Sequence, residues 1–503
     1  MKKTVLCIFA ALLALISCNS VGPETKSSDT ETARSTEATA GTAEETDAEA
    51  CPIDLTGTDF SGETLTMGTL DDSANGIDYT IGIYIDEDSG NNLDSAVFAR
   101  NLWIEENLNC KLALHTLTGT SRGQLPNDIL AGDCDIQLLY QEMMSMGGYL
   151  TKGLLRDMNT VSPIDWDAVW WNDMAGGTTE IAGKRFFTMS DTDYHSFYGF
   201  SMIAFNKALE EQLIESSQSE PFYSIVDAGG WTYDTLYALG EAVMLDLDGN
   251  GSFSFGKDRY GVGADSTNAS LLILSSGARF TRTDADGNLQ NAIGEALFED
   301  TFSKILTLYT TPNLNANPNT LLAPDGYSAW KYYLRLPLAE NRCLFNIATF
   351  ATHSFLREEM EESTYGFLPC PKLSEAQDRY YTPVSYWNGT FIGIPISASN
   401  LDFVGTVLNA MEYKSEDTVV PAFYNVALSY KYATDADSIR MLEIIRDGAV
   451  VDIGVAFNIG KIQDKLTENV QNGQNTFASS YASREKSVLR DIETIMDAVR
   501  YAQ

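Results

Sequence analysis

Histidine is almost missing from this chain. Only His115, His195 and His353 occur in 503 residues, and they stand far apart. That scarcity removes most constellations in which an imidazole acts as a base or binds a metal. There is no His-Glu-x-x-His and no Gly-x-Ser-x-Gly. Basic residues are also few, with 33 Lys and Arg against 70 Asp and Glu, for a formal net charge of −37. So acidic a surface argues against nucleic acid and anionic lipid headgroups as partners. The seven cysteines include no Cys-x-x-Cys, which leaves neither a disulfide framework nor a zinc site. Cys51, Cys110, Cys134, Cys343 and Cys370 read as small apolar side chains, most of them buried. Beyond the first eighteen residues, no apolar run reaches the roughly 18 residues that span a bilayer.

What is present begins at the amino terminus. Met1-Lys2-Lys3 is followed by an uncharged apolar run from Val5 to Ile16, which describes a secretory signal too short to be a membrane span. The ending Leu15-Ile16-Ser17-Cys18 resembles the lipobox of bacterial lipoproteins. That resemblance implies cleavage after residue 17 and lipid on Cys18, with the rest of the protein outside the cytoplasm. Residues 18–51 then supply an acidic Ser/Thr/Ala/Gly-rich tether. It holds too little apolar surface to offset its chain entropy and is expected to stay disordered.

The remaining 450 or so residues are enough for two or three domains. Strand and helix periods alternate: Thr64 to Gly68 extended, Leu93 to Leu108 helical with Val97, Leu102, Ile104 and Leu108 as its stripe, and Cys110 to Leu117 extended. Leu125 to Ala131 is helical, Asp135 to Tyr140 a strand and Gln141 to Leu150 a helix. These lengths imply parallel strands joined by right-handed crossovers. Further on, Phe197 to Phe205, Leu344 to Ile347, Tyr365 to Leu368 and Phe391 to Ile396 are expected strands. Lys207 to Leu213, Tyr233 to Leu245, Ile293 to Tyr309, Phe350 to Glu361 and most of the chain after Leu401 are expected helices.

Several short pieces, in order, match a known family. They are Gly132-Asp133-Cys134-Asp135-Ile136, Phe205-Asn206-Lys207, Gly230-Trp231-Thr232, Asp246-Leu247-Asp248-Gly249-Asn250-Gly251 with Asp258-Arg259-Tyr260-Gly261, Tyr365-Gly366-Phe367-Leu368-Pro369, and Ile394-Pro395-Ile396-Ser397. In their order and spacing the chain resembles the family 1 extracellular solute-binding proteins of ABC importers, in the lipoprotein form of Gram-positive bacteria. The resemblance implies an α/β chain with a two-lobed periplasmic-binding-protein-like fold (type II) and a ligand cleft between the lobes. Lobe 1 would hold residues 52–190 plus about 386–413, and lobe 2 residues 191–385 plus about 414–503.

Within that frame aromatic residues beside polar ones mark the expected ligand class, because a sugar offers an apolar C–H face and a rim of hydroxyls. Tyr140 and Gln141, followed by Glu142, stand at a strand end. Asp191, Tyr194 and His195 stand where the chain should cross between lobes, and Tyr386, Trp387 and Asn388 where it should return. The resemblance adds Phe350, in the position of a stacking aromatic. Core packing is the competing reading for each of these aromatics. The stretch from Gly177 to Arg185 falls short of a phosphate-binding loop, since Arg185 stands where Ser or Thr is needed. Asp246, Asp248 and Asn250 followed by Gly251 open like a calcium loop, with Lys257 at position twelve and Asp258 one residue late. A structural calcium ion and a hydrogen-bonded turn are both compatible with that pattern.

The expected role is therefore a non-catalytic surface receptor, lipid-anchored at Cys18, that passes a carbohydrate to an ABC permease. It would require no cofactor and bind no nucleic acid. A non-sugar solute such as a peptide or uronate is the alternative on the same fold, and a lipoprotein enzyme acting on surface glycans is a third.

Overall fold

A computed structural model describes residues 53–70, 77–171, 179–315, 331–356, 365–428 and 436–502. The signal segment, Cys18 and the tether lie outside these residues. So do Gly177, Thr178 and the second half of the helix expected over Phe350 to Glu361. Among the described residues no helix is long and apolar enough to cross a membrane.

The chain opens with β1 (Glu63–Leu70), α1 (Asn92–Leu108), β2 (Cys110–Leu117), α2 (Gly119–Ala131), β3 (Leu138–Glu142) and α3 (Met143–Thr151). α1 starts where the Asn91 side chain accepts from the Leu93 N–H, and stops where Asn109 turns left-handed. Its buried face carries Val97, Ile104 and Leu108. Leu102 is turned outward, because five residues past Val97 falls off the stripe. Next come β4 (Ser201–Asn206), α4 (Lys207–Glu215), α5 (Tyr233–Val243), β5 (Tyr260–Ala264), α6 (Ala296–Thr310), β6 (Cys343–Thr349) and β7 (Tyr365–Leu368). The chain ends with β8 (Thr390–Gly393), α7 (Leu401–Asp417), α8 (Val419–Leu428), α9 (Ala436–Asp447), α10 (Ile462–Asn472) and α11 (Phe477–Tyr501).

Two four-stranded sheets result. The first has the order β8-β3-β1-β2, with β1 parallel to β2 and β3, and β8 antiparallel to β3. The second has the order β7-β4-β6-β5, with β4 antiparallel to both neighbours and β5 parallel to β6. Each strand of the second sheet is buried along its whole length, as expected for a sheet covered on both faces. Trp231 is fully enclosed there and donates its indole N–H to Pro369 O at 2.9 Å.

The chain leaves the first sheet through residues 186–200 and comes back through 384–390. These crossings run side by side, bridged at Phe200–Val384 and Thr188–Ile392, and the Ser385 N–H donates to Gly199 O at 2.7 Å. They touch at two glycines. A Cβ on Gly199 would stand 2.8 Å from Gly389 Cα, so neither position has room for a side chain.

Several boundaries differ from the sequence reading: α2 starts at Gly119 rather than Leu125, and β8 ends at Gly393 rather than Ile396. The strand expected from Phe197 begins only at Ser201. Before it, Tyr194–Gly199 forms a tight 3-10 turn, which the Asp193 carboxylate starts by accepting from the His195 N–H at 2.9 Å. The strand expected over Asp135 to Tyr140 is shifted to Leu138–Glu142. The following helix accordingly starts at Met143 rather than Gln141.

Candidate functional site

A cavity of about 430 Å³ opens at the carboxyl ends of the three parallel strands of the first sheet. β1 contributes Thr69 and Leu70, and β2 contributes Leu117. The start of α2 contributes Gly119 and Arg122, while β3 contributes Tyr140 and Glu142. Trp387, Gly389 and Thr390 from the return crossing, and Tyr79 from the loop after β1, complete the wall. Open α/β sheets present ligand sites at this edge, where loops diverge from the strand ends.

Its chemistry is mixed. Trp387 is 54% exposed, an unusual exposure for the largest apolar side chain, and its neighbour Tyr386 lies at a ring-centroid distance of 5.5 Å. Tyr140 is buried and its hydroxyl meets Thr192 Oγ1 at 3.0 Å. Burial pushes that hydroxyl far up, so it stays a neutral hydrogen-bonding group. Arg122 forms an ion pair with Glu142 and also donates to Ser145 Oγ, which in turn donates to Glu142 Oε1 at 2.8 Å. Three buried oxygens on this wall have no partner among the described residues: Thr69 Oγ1, Thr390 Oγ1 and Glu142 Oε2. Unsatisfied polar atoms cost stability when enclosed, and they gather where a ligand supplies the missing hydrogen bonds.

Of the residues singled out in the sequence, Tyr140 and Trp387 meet on this wall. Asn388 is tied down beside it, donating from Nδ2 to Thr349 Oγ1 at 2.9 Å, and Tyr386 is half-buried. The others do not line the cavity. Gln141 points to the opposite face of β3 and is fully enclosed, its amide donating to Tyr140 O at 2.8 Å. Phe350 packs among Tyr198, Phe367 and Phe423. Tyr194 is buried against His195 and Phe423.

Asp191 and His195 belong to a buried polar layer behind the wall. His195 Nδ1 lies 2.9 Å from Asp193 Oδ1, and its ring packs at 4.9 Å against Tyr79, a cavity residue. A Cβ on Gly82 would strike both Asp193 and His195, so glycine lets the Tyr79 loop settle on them. Arg100 pins the same loop, donating to Ile83 O at 2.7 Å and to Thr192 O at 2.6 Å. Asp191 pairs with Arg446 at 2.9 Å, and its N–H donates to Glu412 Oε1 at 3.0 Å. Burial first, and then the neighbouring Asp191, push Glu412 up to about 8. Among the described residues Arg446 forms its ion pair with Asp191 and no cation forms one with Glu412, so Glu412 is the member of this pair that keeps a proton near neutrality.

Arg122, Thr69, Thr390 and Tyr79 escaped the sequence reading, whereas Glu142 stands with Tyr140 and Gln141 at the strand end that the sequence marks. The expected helix start at Gln141 places Glu142 on a helix, whereas the structure keeps it in β3, two residues beyond Tyr140 on the same face.

A second cluster lies apart from the cavity. Carboxylate oxygens of Asp246, Asp248 and Asp258 come within 4.8 Å of one another, a spacing that calcium's oxygen shell accepts. The loop also holds itself together. Asp246 accepts from the Gly249 and Gly251 N–H groups, and Asn250 Oδ1 accepts from Ser252 N–H at 2.9 Å. Lys257 approaches Asp248 to 3.5 Å, and the Ser254 N–H, the leading cause, holds the Asp258 carboxyl below its ordinary range.

No protein-family model and no curated protein sequence matches the chain. Among solved structures it is similar to an ABC substrate-binding protein from Listeria monocytogenes in complex with cycloalternan. The identity is 13% and the TM-score 0.54, over 86% of this chain and 99% of that one. At that identity the likeness speaks to architecture alone. The chain therefore has a two-lobed, periplasmic-binding-protein-like α/β fold.

Proposed function

We propose that this protein is the solute receptor of an ABC importer and captures a mono- or oligosaccharide at the cavity headed by Trp387. The observation that carries the reading is the pairing of a half-exposed indole with three unpartnered oxygens on one wall. An indole covers the C–H face of a pyranose, and the oxygens accept from its hydroxyls. The Listeria protein of like fold was solved with a carbohydrate, which supports the same class here. Ligand binding would close the lobes about the paired crossings at Gly199 and Gly389, and the closed form would dock on the permease. No chemical step is required of the chain. The Leu-Ile-Ser-Cys ending supports anchorage outside the cytoplasm by lipid on Cys18.

A thermal-shift screen against neutral, acidic and amino saccharides, with peptides as a second arm, tests this. A melting temperature raised by saccharides alone, with the sugar recovered intact, is expected. Stabilisation by peptides alone, or release of a cleaved product, would replace the reading with a peptide receptor or a glycan-acting enzyme.

A further inference from the structure

Building on the saccharide reading, we infer that this cavity selects uncharged sugars and that Glu142 is the residue that excludes uronates. Among the described residues the wall holds one cation and one anion, Arg122 and Glu142, and they are paired with each other. The positive charge that a uronate would need is thus already compensated inside the protein. Arg122 is further engaged by Ser145 Oγ.

Glu142 is only 6% exposed, and its Oε2 has no partner. A carboxylate oxygen accepts hydrogen bonds and donates none, so the ligand atom that satisfies it must carry a proton. A sugar hydroxyl does. The carboxylate of a uronate does not, and it would bring a second negative charge against a buried one, where screening is weak. Thr69 Oγ1 and Thr390 Oγ1, also buried and unpartnered, both donate and accept, and so suit a neutral hydroxyl. An amino sugar would satisfy Glu142 but would set its cation against the guanidinium of Arg122. The wall thus penalises either sign of ligand charge, and specificity arises from that penalty as much as from attraction.

The experiment is calorimetric titration with a matched pair: the neutral saccharide that gives the largest thermal shift, and its counterpart oxidised at C6 to the uronic acid. The wild-type protein is expected to prefer the neutral member by roughly tenfold or more. Glu142→Gln keeps the shape, frees the charge of Arg122, and should bring that ratio close to one or reverse it. Arg122→Gln leaves Glu142 uncompensated and should widen it. Thr390→Ala removes a hydroxyl without changing charge, so both members should weaken together at a constant ratio. A wild type that binds the uronate as well as the neutral sugar would overturn the inference while leaving the saccharide reading intact. So would an unchanged ratio in Glu142→Gln, or an Arg122→Gln protein that gains uronate affinity. If no saccharide of either kind binds, the saccharide reading falls and this inference with it.

Discussion

Trp387 is where residue-scale physics makes its sharpest forecast. With 54% of its surface exposed it contributes little to the core, so Trp387→Ala should alter folding stability by about 0.5 kcal/mol or less. The same change should weaken saccharide binding by about 2 kcal/mol or more, the loss typical of an aromatic anchor. Titration and a denaturant melt on one variant check both. A large loss of stability with unchanged affinity would mean that the ring serves packing. Trp231 is the opposite case at the same scale. It is fully enclosed and hydrogen-bonded to Pro369 O, so Trp231→Ala should cost about 3–5 kcal/mol of stability, read in the same melt. Both tryptophans stand out in the sequence, and only their exposure separates them.

At the scale of elements, the crossing segments carry the interest. Glu412 on α7 lies against Asp191 of the first crossing, with Arg446 of α9, Glu416 of α7 and Arg100 of α1 as the surrounding charges. Its folded-state pKa lies above its ordinary 4.5, at about 8, so the folded form holds a proton that the unfolded form has lost. Its contribution to stability is full below the ordinary value and is lost as pH rises through about 8. His353 works in the other direction. Burial lowers it from 6.5 to about 4, so its contribution is full above 6.5 and lost as pH falls through about 4. Melting temperature should therefore decline between about pH 6.5 and pH 8, and Glu412→Gln should flatten that decline without touching the acid limb. An equal alkaline decline in the variant would assign it to other groups. The glycine contact between the crossings predicts a separate failure. Gly199→Ala forces a methyl within 2.8 Å of backbone, and should cost more stability than Gly148→Ala, where a Cβ meets nothing within 4 Å.

At the scale of the whole molecule, calcium and the lipid anchor are the open variables. If the Asp246 loop holds calcium, the ion binds only the folded form and must raise the melting temperature. Melts in chelator and in millimolar calcium should then differ by several degrees, and the difference should vanish in Asp246→Ala. Superimposable melts leave the hydrogen-bonded turn as the whole explanation of the motif. If Cys18 carries the lipid, Cys18→Ala should abolish lipid labelling and release the protein into the medium. Normal cleavage and continued membrane retention of the variant would remove the anchor.

The sequence by itself determined many of the elements, though it showed no strand at β5. Period-two and period-3.6 patterns placed β2 to the residue, and α1 and β1 to within a residue or two, because local backbone preference and burial of one face act together there. It also brought forward Tyr140 and Trp387, since an aromatic beside polar residues at a strand end is visible in a string of letters. Only the tertiary structure decided what surrounds them. Arg122, Glu142, Thr69 and Thr390 come from different elements, and no local pattern ties one to another. His195 and Asp191 looked equally exposed to a ligand in the sequence, yet packing carried them behind the wall, where His195 supports Tyr79 and Asp191 meets Arg446 from 255 residues away. Side-chain chemistry is written locally, whereas burial and partnership depend on which distant segments the fold brings together.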